Sequence, residues 1–185
     1  MGPEHTKRRK TLLTDIAGRK LDCLVVTHPA NWFYLTGFTG ESGALVVSMN
    51  GTTLLTDGRF TVQGKEETRG VKIELQQGGL YTALGAMLRR KGLRRVGYDA
   101  NHLTVSQWDI LRKAMGGKTR GFEASGLVQR LRMRYSDDEA TVRSMRLAVL
   151  RAHNLIRDGV EHQALALMLW RAALPANVLL WERQG

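Results

Sequence analysis

Cysteine is almost absent. Cys23 stands alone in 185 residues, which excludes an internal disulfide framework and any cysteine-rich zinc site. Long apolar runs are missing as well, since stretches such as Ala164–Trp170 fall far short of the ~20 residues needed to span a bilayer. Met1–Lys10 carries cations with no apolar segment behind them, so no secretory signal is expected. Neither GxxxxGK[ST] nor GxGxxG occurs, which leaves nucleotide cradling without support. His5, His28, His102, His153 and His162 show no HxxxH or HExxH spacing, and exposed or capping roles suit them better than ligation. Gly40–Gly43 hints at a nucleophile elbow, but Ala44 stands where the final glycine is required. These absences point to a soluble, cytoplasmic protein without a membrane segment.

Acids are also scarce, with 17 Asp and Glu against 28 Lys and Arg for a net charge of +11. The cations cluster at Lys7–Lys10, at Arg89–Lys91 with Arg94 and Arg95, at Lys118 and Arg120, and at Arg130, Arg132 and Arg134. Most fall at expected helix ends or turns, where a cation meets the negative end of the helix dipole. No RNP motif, Cys/His finger or basic–aromatic interleaving accompanies them, so a solvated surface is favoured over nucleic-acid binding. With 43% hydrophobic and 24% charged residues, the chain is neither disordered nor collagen-like.

The patterning alternates between periods. Thr6–Lys20 reads as a helix with Leu12, Leu13, Ile16 and Ala17 on one face, and Leu21–Thr27 as a buried strand that Pro29 ends. Ala30–Leu35 reads as a short helix carrying Trp32, Phe33 and Tyr34, followed by a loop over Thr36–Gly43. Strands at Ala44–Met49 and Thr52–Thr56 flank Asn50-Gly51, a strong hairpin signal. Asn50–Thr52 also fits a glycosylation acceptor, though the turn reading is the better one. A loop at Asp57–Phe60 leads into a polar helix over Thr61–Thr68, then a strand at Val71–Leu75. A helix over Leu80–Lys91, a strand at Arg95–Tyr98, a helix opened by a Thr104/Gln107 capping box, and a strand near Arg120–Phe122 complete the series. The expectation is a three-layer α/β domain over residues 1–124, with a mixed, mostly parallel sheet containing one hairpin. Residues 125–157 read as linker helices: a short one over Gly126–Arg132, then a longer one capped by Ser136–Glu139 with Val142, Met145, Leu150 and Ile156 on its apolar face. Residues 158–185 form a tail in which Gln163–Ala173 could build one more amphipathic helix before Pro175.

Several runs, taken in order, resemble one family. Asn31, Tyr34, Leu35, Thr36, Gly37 and Phe38 match the Asn-x-x-Tyr-Leu-Thr-Gly-Phe run of the N-terminal domain of creatinases, prolidases and aminopeptidases P. Thr56, Asp57, Gly58 and Arg59 match its Thr-Asp-Gly-Arg-Tyr corner, with Phe60 in place of the tyrosine. Val96–Asp99 is similar to its Ile-Gly-hydrophobic-acid strand end, and Leu131–Glu139 resembles its entry into a catalytic domain. The resemblance covers about residues 12 to 156. It implies a small α/β domain ahead of a "pita-bread" domain that binds two divalent metals through two Asp, one His and two Glu, and cleaves Xaa–Pro bonds. After Arg157, Asp158, Glu161 and Glu182 are the remaining carboxylates and His162 the remaining imidazole, too few for that ligand set. The expectation is a truncated gene product, with a shifted frame after about residue 157, that has no catalytic residues, metal ligands or cofactor of its own. Downstream DNA with no metal-ligand sequence in any frame would sink the frameshift idea.

The resemblance also implies that the small domain looks across a partner's active-site mouth. On that reading Arg59, Phe60, Trp32 and Tyr34 are candidates to contact substrate in trans. An Arg pairs with a carboxylate in bidentate fashion, and aromatics pack on a proline-like ring. Against this stands a packing role for Trp32 and Tyr34, and a turn-fixing role for Arg59. Cys23, inside an apolar strand, reads as a small buried hydrophobe. The expected partners are a second copy or a full-length family enzyme. Self-pairing through the Val142–Ile156 face is the alternative function, and nucleic-acid binding the least favoured one.

Overall fold

A computed structural model describes residues 3–134. Helix α1 (Pro3–Gly18) precedes β1 (Cys23–Val26), α2 (Pro29–Thr36), β2 (Ala44–Ser48) and β3 (Gly51–Thr56). Helix α3 (Thr61–Glu67), β4 (Val71–Leu75), α4 (Leu80–Arg90), β5 (Arg95–Tyr98), α5 (Val105–Met115) and β6 (Arg120–Glu123) follow, with a single 3₁₀ turn at Ala100–His102. The six strands form one sheet in the order β4-β3-β2-β1-β5-β6. Parallel pairings join β1 to β5, β3 to β4 and β5 to β6, while β2 is antiparallel to both β1 and β3. Strand β2 alone therefore runs against the rest, which gives the mixed, mostly parallel sheet that the alternation predicts.

The alternation of side chains sends each strand's residues to two cores. Cys23, Val25, Ala44, Val46, Leu55 and Val96 pack with Leu84, Met87, Leu88, Leu111 and Met115 of α4 and α5. Leu24, Leu45 and Leu54 face the other way, where α1 packs on β2 and α3 on β4. Leu12 and Ile16 of α1 are fully buried. Three layers result.

Local chemistry accounts for the element ends. Thr104 Oγ1 accepts from Gln107 N at 3.2 Å while Gln107 Oε1 accepts from Thr104 N at 2.9 Å, the reciprocal cap that opens α5. Pro29 acts less as a strand breaker than as a helix opener. It occupies the first turn of α2, where its missing N–H costs nothing. The hairpin differs in detail from the Asn-Gly expectation. Ser48 pairs with Gly51, so Met49 and Asn50 form the two-residue turn and Gly51 begins β3 with φ of +121°. Glycine takes the positive φ after the turn instead of within it.

One cation of the Lys7–Lys10 run is not a surface group. Arg9 is buried, and its guanidinium donates to Leu35 O and Arg69 O, each at 2.8 Å. It ties α1 to the end of α2 and to the turn before β4, and burial lowers its pKa. Residues 127–134 are helical. Leu127, Val128 and Leu131 are buried, so the compact unit runs through Leu131. The cap at Ser136–Glu139, the apolar face over Val142–Ile156, the helix over Gln163–Ala173 and the residues Asp158, Glu161, His162 and Glu182 lie outside the described residues. No helix among the described residues is long and apolar enough to cross a membrane.

Candidate functional site

Helix α2 follows β1 and the Asp57–Phe60 turn follows β3, so both lie at the C-terminal edge of the parallel strands, where open α/β sheets place ligands. Helix α2 stops because Gly37 adopts a left-handed φ of +82° and donates from its N–H to Phe33 O at 2.7 Å. Thr36 Oγ1 donates to Trp32 O at 2.7 Å and accepts from Phe38 N at 3.1 Å. This bond pair turns Phe38 back into the core, where it is fully buried. A Cβ on Gly40 would lie 2.2 Å from the Phe38 ring, so glycine is required for the loop to pass.

Phe38 is the centre of an aromatic chain. Its ring lies 6.3 Å from Trp32 and 6.3 Å from Phe60, the latter edge-on at 87°. Around it an open depression of about 250 Å³ is lined by Pro29, Ala30, Trp32, Phe33, Phe38 and Gly40. Phe33 is 51% exposed on its rim. The loop wall is held by a polar clamp. Thr39 N and Oγ1 donate to the two Glu67 oxygens at 2.8 and 2.7 Å, and Gln63 Nε2 donates to Thr39 Oγ1 at 2.7 Å. Burial works to raise the Glu67 pKa, but the hydrogen bonds from Thr39 and Gln63 outweigh it and hold it below the usual value.

Arg59 makes a two-point contact with Asp57, Nε to Oδ1 at 3.1 Å and Nη2 to Oδ2 at 2.9 Å, and its backbone N–H reaches Oδ1 at 3.0 Å. Chiefly because of the side-chain hydrogen bond from Arg59, the Asp57 pKa is held down to about 2. The Arg59 side chain is nevertheless 76% exposed, with its guanidinium carbon 5.1 Å from the Phe60 ring centre. It fixes the turn and presents a cation to solvent at the same time.

Of the four candidates, the structure brings together Arg59, Phe60 and, through Phe38, Trp32. It does not include Tyr34. Two positions after Trp32 on a helix, Tyr34 points away, with the Arg8 guanidinium 4.3 Å from its ring centre and its hydroxyl donating to Leu131 O at 3.2 Å. Trp32 itself is 2% exposed. Phe33, Phe38 and the Thr39–Glu67 clamp are not legible as site residues in the sequence: nothing local ranks the two phenylalanines against Trp32 and Tyr34 in the same segment, and Glu67 meets Thr39 only across 28 residues of chain. The repeated glycines around Phe38 were the available signal.

A second constellation lies at the same edge of the sheet. The His28 and His102 rings meet at a tilt of 31° with centroids 4.1 Å apart. Asp99, at the end of β5, accepts from Asn101 N and Gln129 Nε2, each at 3.0 Å. It thereby anchors the helix that begins at residue 127. Cys23 is fully buried and its thiol is pushed up to about 12, first by burial and then by Asp22. Among the described residues no three His, Cys, Asp or Glu side chains converge on a metal position.

The sequence profile of the Creatinase/Prolidase N-terminal domain matches residues 8–134. An uncharacterized peptidase of Bacillus subtilis (strain 168), YqhT, is 32% identical over 88 residues, which is 48% of this chain and 25% of that protein. The chain's match thus spans a quarter of that relative's length. The N-terminal domain of the cytoplasmic peptidase PepQ from Mycobacterium tuberculosis H37Rv is similar at 30% identity and a TM-score of 0.63, over 68% of this chain and 98% of that one. A Streptococcus pyogenes Xaa-Pro aminopeptidase structure aligns at 25% identity and a TM-score of 0.64, over 71% of this chain and 99% of that one. With the ordered motifs, the three-layer sheet and the profile in agreement, the chain belongs to the Creatinase/Prolidase N-terminal domain family.

Proposed function

We propose that this chain supplies the noncatalytic N-terminal domain of an Xaa-Pro peptidase, and that it covers the substrate of a partner's active site. The observation that carries this reading is the exposed Arg59 guanidinium beside Phe60, with the Phe33-rimmed apolar depression adjoining the same aromatic chain. Asp57 takes the Nε–Nη2 edge of Arg59, so the remaining Nη1–Nη2 end of the always-charged guanidinium is the part that suits a peptide carboxylate, and an apolar hollow lined by aromatics suits a proline-like ring. Buried Trp32 lines the hollow, and Phe60, with Arg59 beside it, connects to it through the Phe38 ring. Tyr34, held against α1, is left with a packing role.

The test mixes the purified chain with manganese or cobalt and an Xaa–Pro dipeptide, alone and together with a full-length peptidase of the family. The expected outcome is no turnover alone and a changed KM for the mixture, abolished by Arg59→Ala. Metal-dependent turnover by the chain alone would overturn the noncatalytic assignment. A KM that the chain leaves unmoved at saturating concentration would overturn the covering role.

A further inference from the structure

The fold gathers cations that the sequence separates. Strands β1, β5 and β6 are neighbours and parallel, so the turns that precede them meet at one corner, at the end of the sheet opposite the Arg59 site. Arg19 and Lys20 precede β1, Arg94 and Arg95 open β5, and Lys118 and Arg120 open β6; all are exposed. Backbone bonds lock the three turns together: Asp22 N donates to Arg95 O at 2.8 Å, and Arg120 N to Arg94 O at 2.7 Å. The one carboxylate among these turns, Asp22, accepts through Oδ2 from the backbone N–H groups of Arg94 and Arg95 at 2.7 and 2.9 Å, which leaves the corner with six cations against one acid. None of the six cations forms an ion pair among the described residues, whereas Lys72, Arg90 and Lys91 all reach Glu74 on β4, the opposite edge strand of the sheet.

Two further features separate this corner from a merely solvated surface. Arg95 and Arg120 are register partners on adjacent strands, about 4.8 Å apart by sheet geometry, and like charges so placed work against the fold. The Arg95 guanidinium also lies 4.2 Å from the centre of the Phe122 ring, on β6, an edge strand. On β6 Arg120 and the half-buried Phe122 share one face, and pairing with β5 adds Arg95 to them, so a single aromatic sits among cations drawn from two strands. Polycarboxylates satisfy the charge alone. A single-stranded nucleic acid uses both parts, phosphates on the guanidinium and ammonium groups and bases on the stacked faces.

We propose that this corner, built from Arg19, Lys20, Arg94, Arg95, Lys118 and Arg120 around Phe122, binds the phosphate backbone of single-stranded nucleic acid without sequence selectivity. It is independent of the Arg59 site.

Fluorescence anisotropy of a labelled oligo-dT strand with the full chain tests this. Binding is expected to weaken at least about tenfold between about 50 and 200 mM salt. The triple variant Arg94→Gln, Lys118→Gln, Arg120→Gln is expected to lose about tenfold or more in affinity at low salt. It should also flatten the slope of log K against log salt by about 2, from ~0.7 per lost contact on a single strand. The charge-matched triple Lys10→Gln, Lys65→Gln, Arg69→Gln, on other surfaces, should leave both quantities nearly unchanged. Arg94→Gln alone, at an exposed position, repeats the test should the first triple unfold. Absence of salt-dependent binding overturns the proposal, as does equal weakening by both triples. Displacement of the strand by polyglutamate as efficiently as by unlabelled oligo-dT overturns it in favour of an acidic protein partner.

Discussion

Replacing Gly85 by alanine sets two effects of opposite sign against each other. Gly85 is buried in the middle of α4, where alanine is favoured over glycine by about 1 kcal/mol. A Cβ at this position, however, would stand 2.5 Å from Ala114 Cβ and 2.9 Å from the backbone atoms Ala114 C and Met115 N of α5. Ordinary carbon contacts lie at ~3.5–4.0 Å, so α5 must retreat by about 1 Å. It has no slack, because Leu84, Met87, Leu88, Leu111 and Met115 around the contact are all essentially fully buried. Two of the three clashing atoms are backbone and cannot rotate away, which puts the overpacking near the upper end of its usual ~1–3 kcal/mol. The net expectation is a loss of about 2 kcal/mol, or a Tm lowered by about 5–10 °C. Gly18→Ala is the matched control. It ends α1 at a negative φ with nothing within 4 Å of the added carbon, and should stabilise by about 0.5–1 kcal/mol. Urea and thermal unfolding followed by circular dichroism measure both. A Gly85→Ala protein as stable as the parent would refute the claim that the α4–α5 approach is set by the missing side chain.

Phe38→Ala should cost about 3–5 kcal/mol, because the ring joins Trp32 to Phe60 in a fully buried position; a loss under about 1 kcal/mol in urea unfolding would mean the loop repacks without it. Asp57 should titrate by carbon NMR near 2 in place of the ordinary 3.8, and Arg59→Gln should return it toward the usual carboxylate range. A carboxylate with a depressed folded-state pKa contributes stability above its unfolded value, so the turn should be intact at neutral pH and loosen as pH falls from about 4 toward 2. A parent midpoint near 4 would show that the Arg59 contact is not formed. Cys23 should resist an aromatic disulfide reagent at pH 8 in the native protein and react fully in urea, since its thiol is buried and pushed up to about 12; rapid native labelling would place β1 at the surface.

The parts of this fold that were legible in the sequence rest on short-range physics. Thr104 and Gln107 announce the α5 cap because both halves of the reciprocal bond lie within one turn of chain. The period-2 and period-3.6 runs locate the strands and helices for the same reason. Gly51 announces the hairpin, but the choice between a positive φ inside the turn and one after it depends on how β2 and β3 align. The candidate site was legible in part. Asp57–Phe60 is marked by its own composition, yet Trp32 and Tyr34 look equivalent in one dimension, while in three Trp32 packs toward Phe38 and Tyr34 toward Arg8 and Leu131.

The sequence by itself determined the order and kind of the elements, and through the ordered motifs the family. Tertiary structure alone decided that Arg9 is an internal tie and not a surface charge, and that Phe38 is the centre of the aromatic chain. It also decided that the basic turns before β1, β5 and β6 share one corner. The physical reason is that periodicity and capping act over a few residues. Strand order, in contrast, sets residues 95 and 120 side by side and the turn before β1 next to them, and no local propensity carries that information.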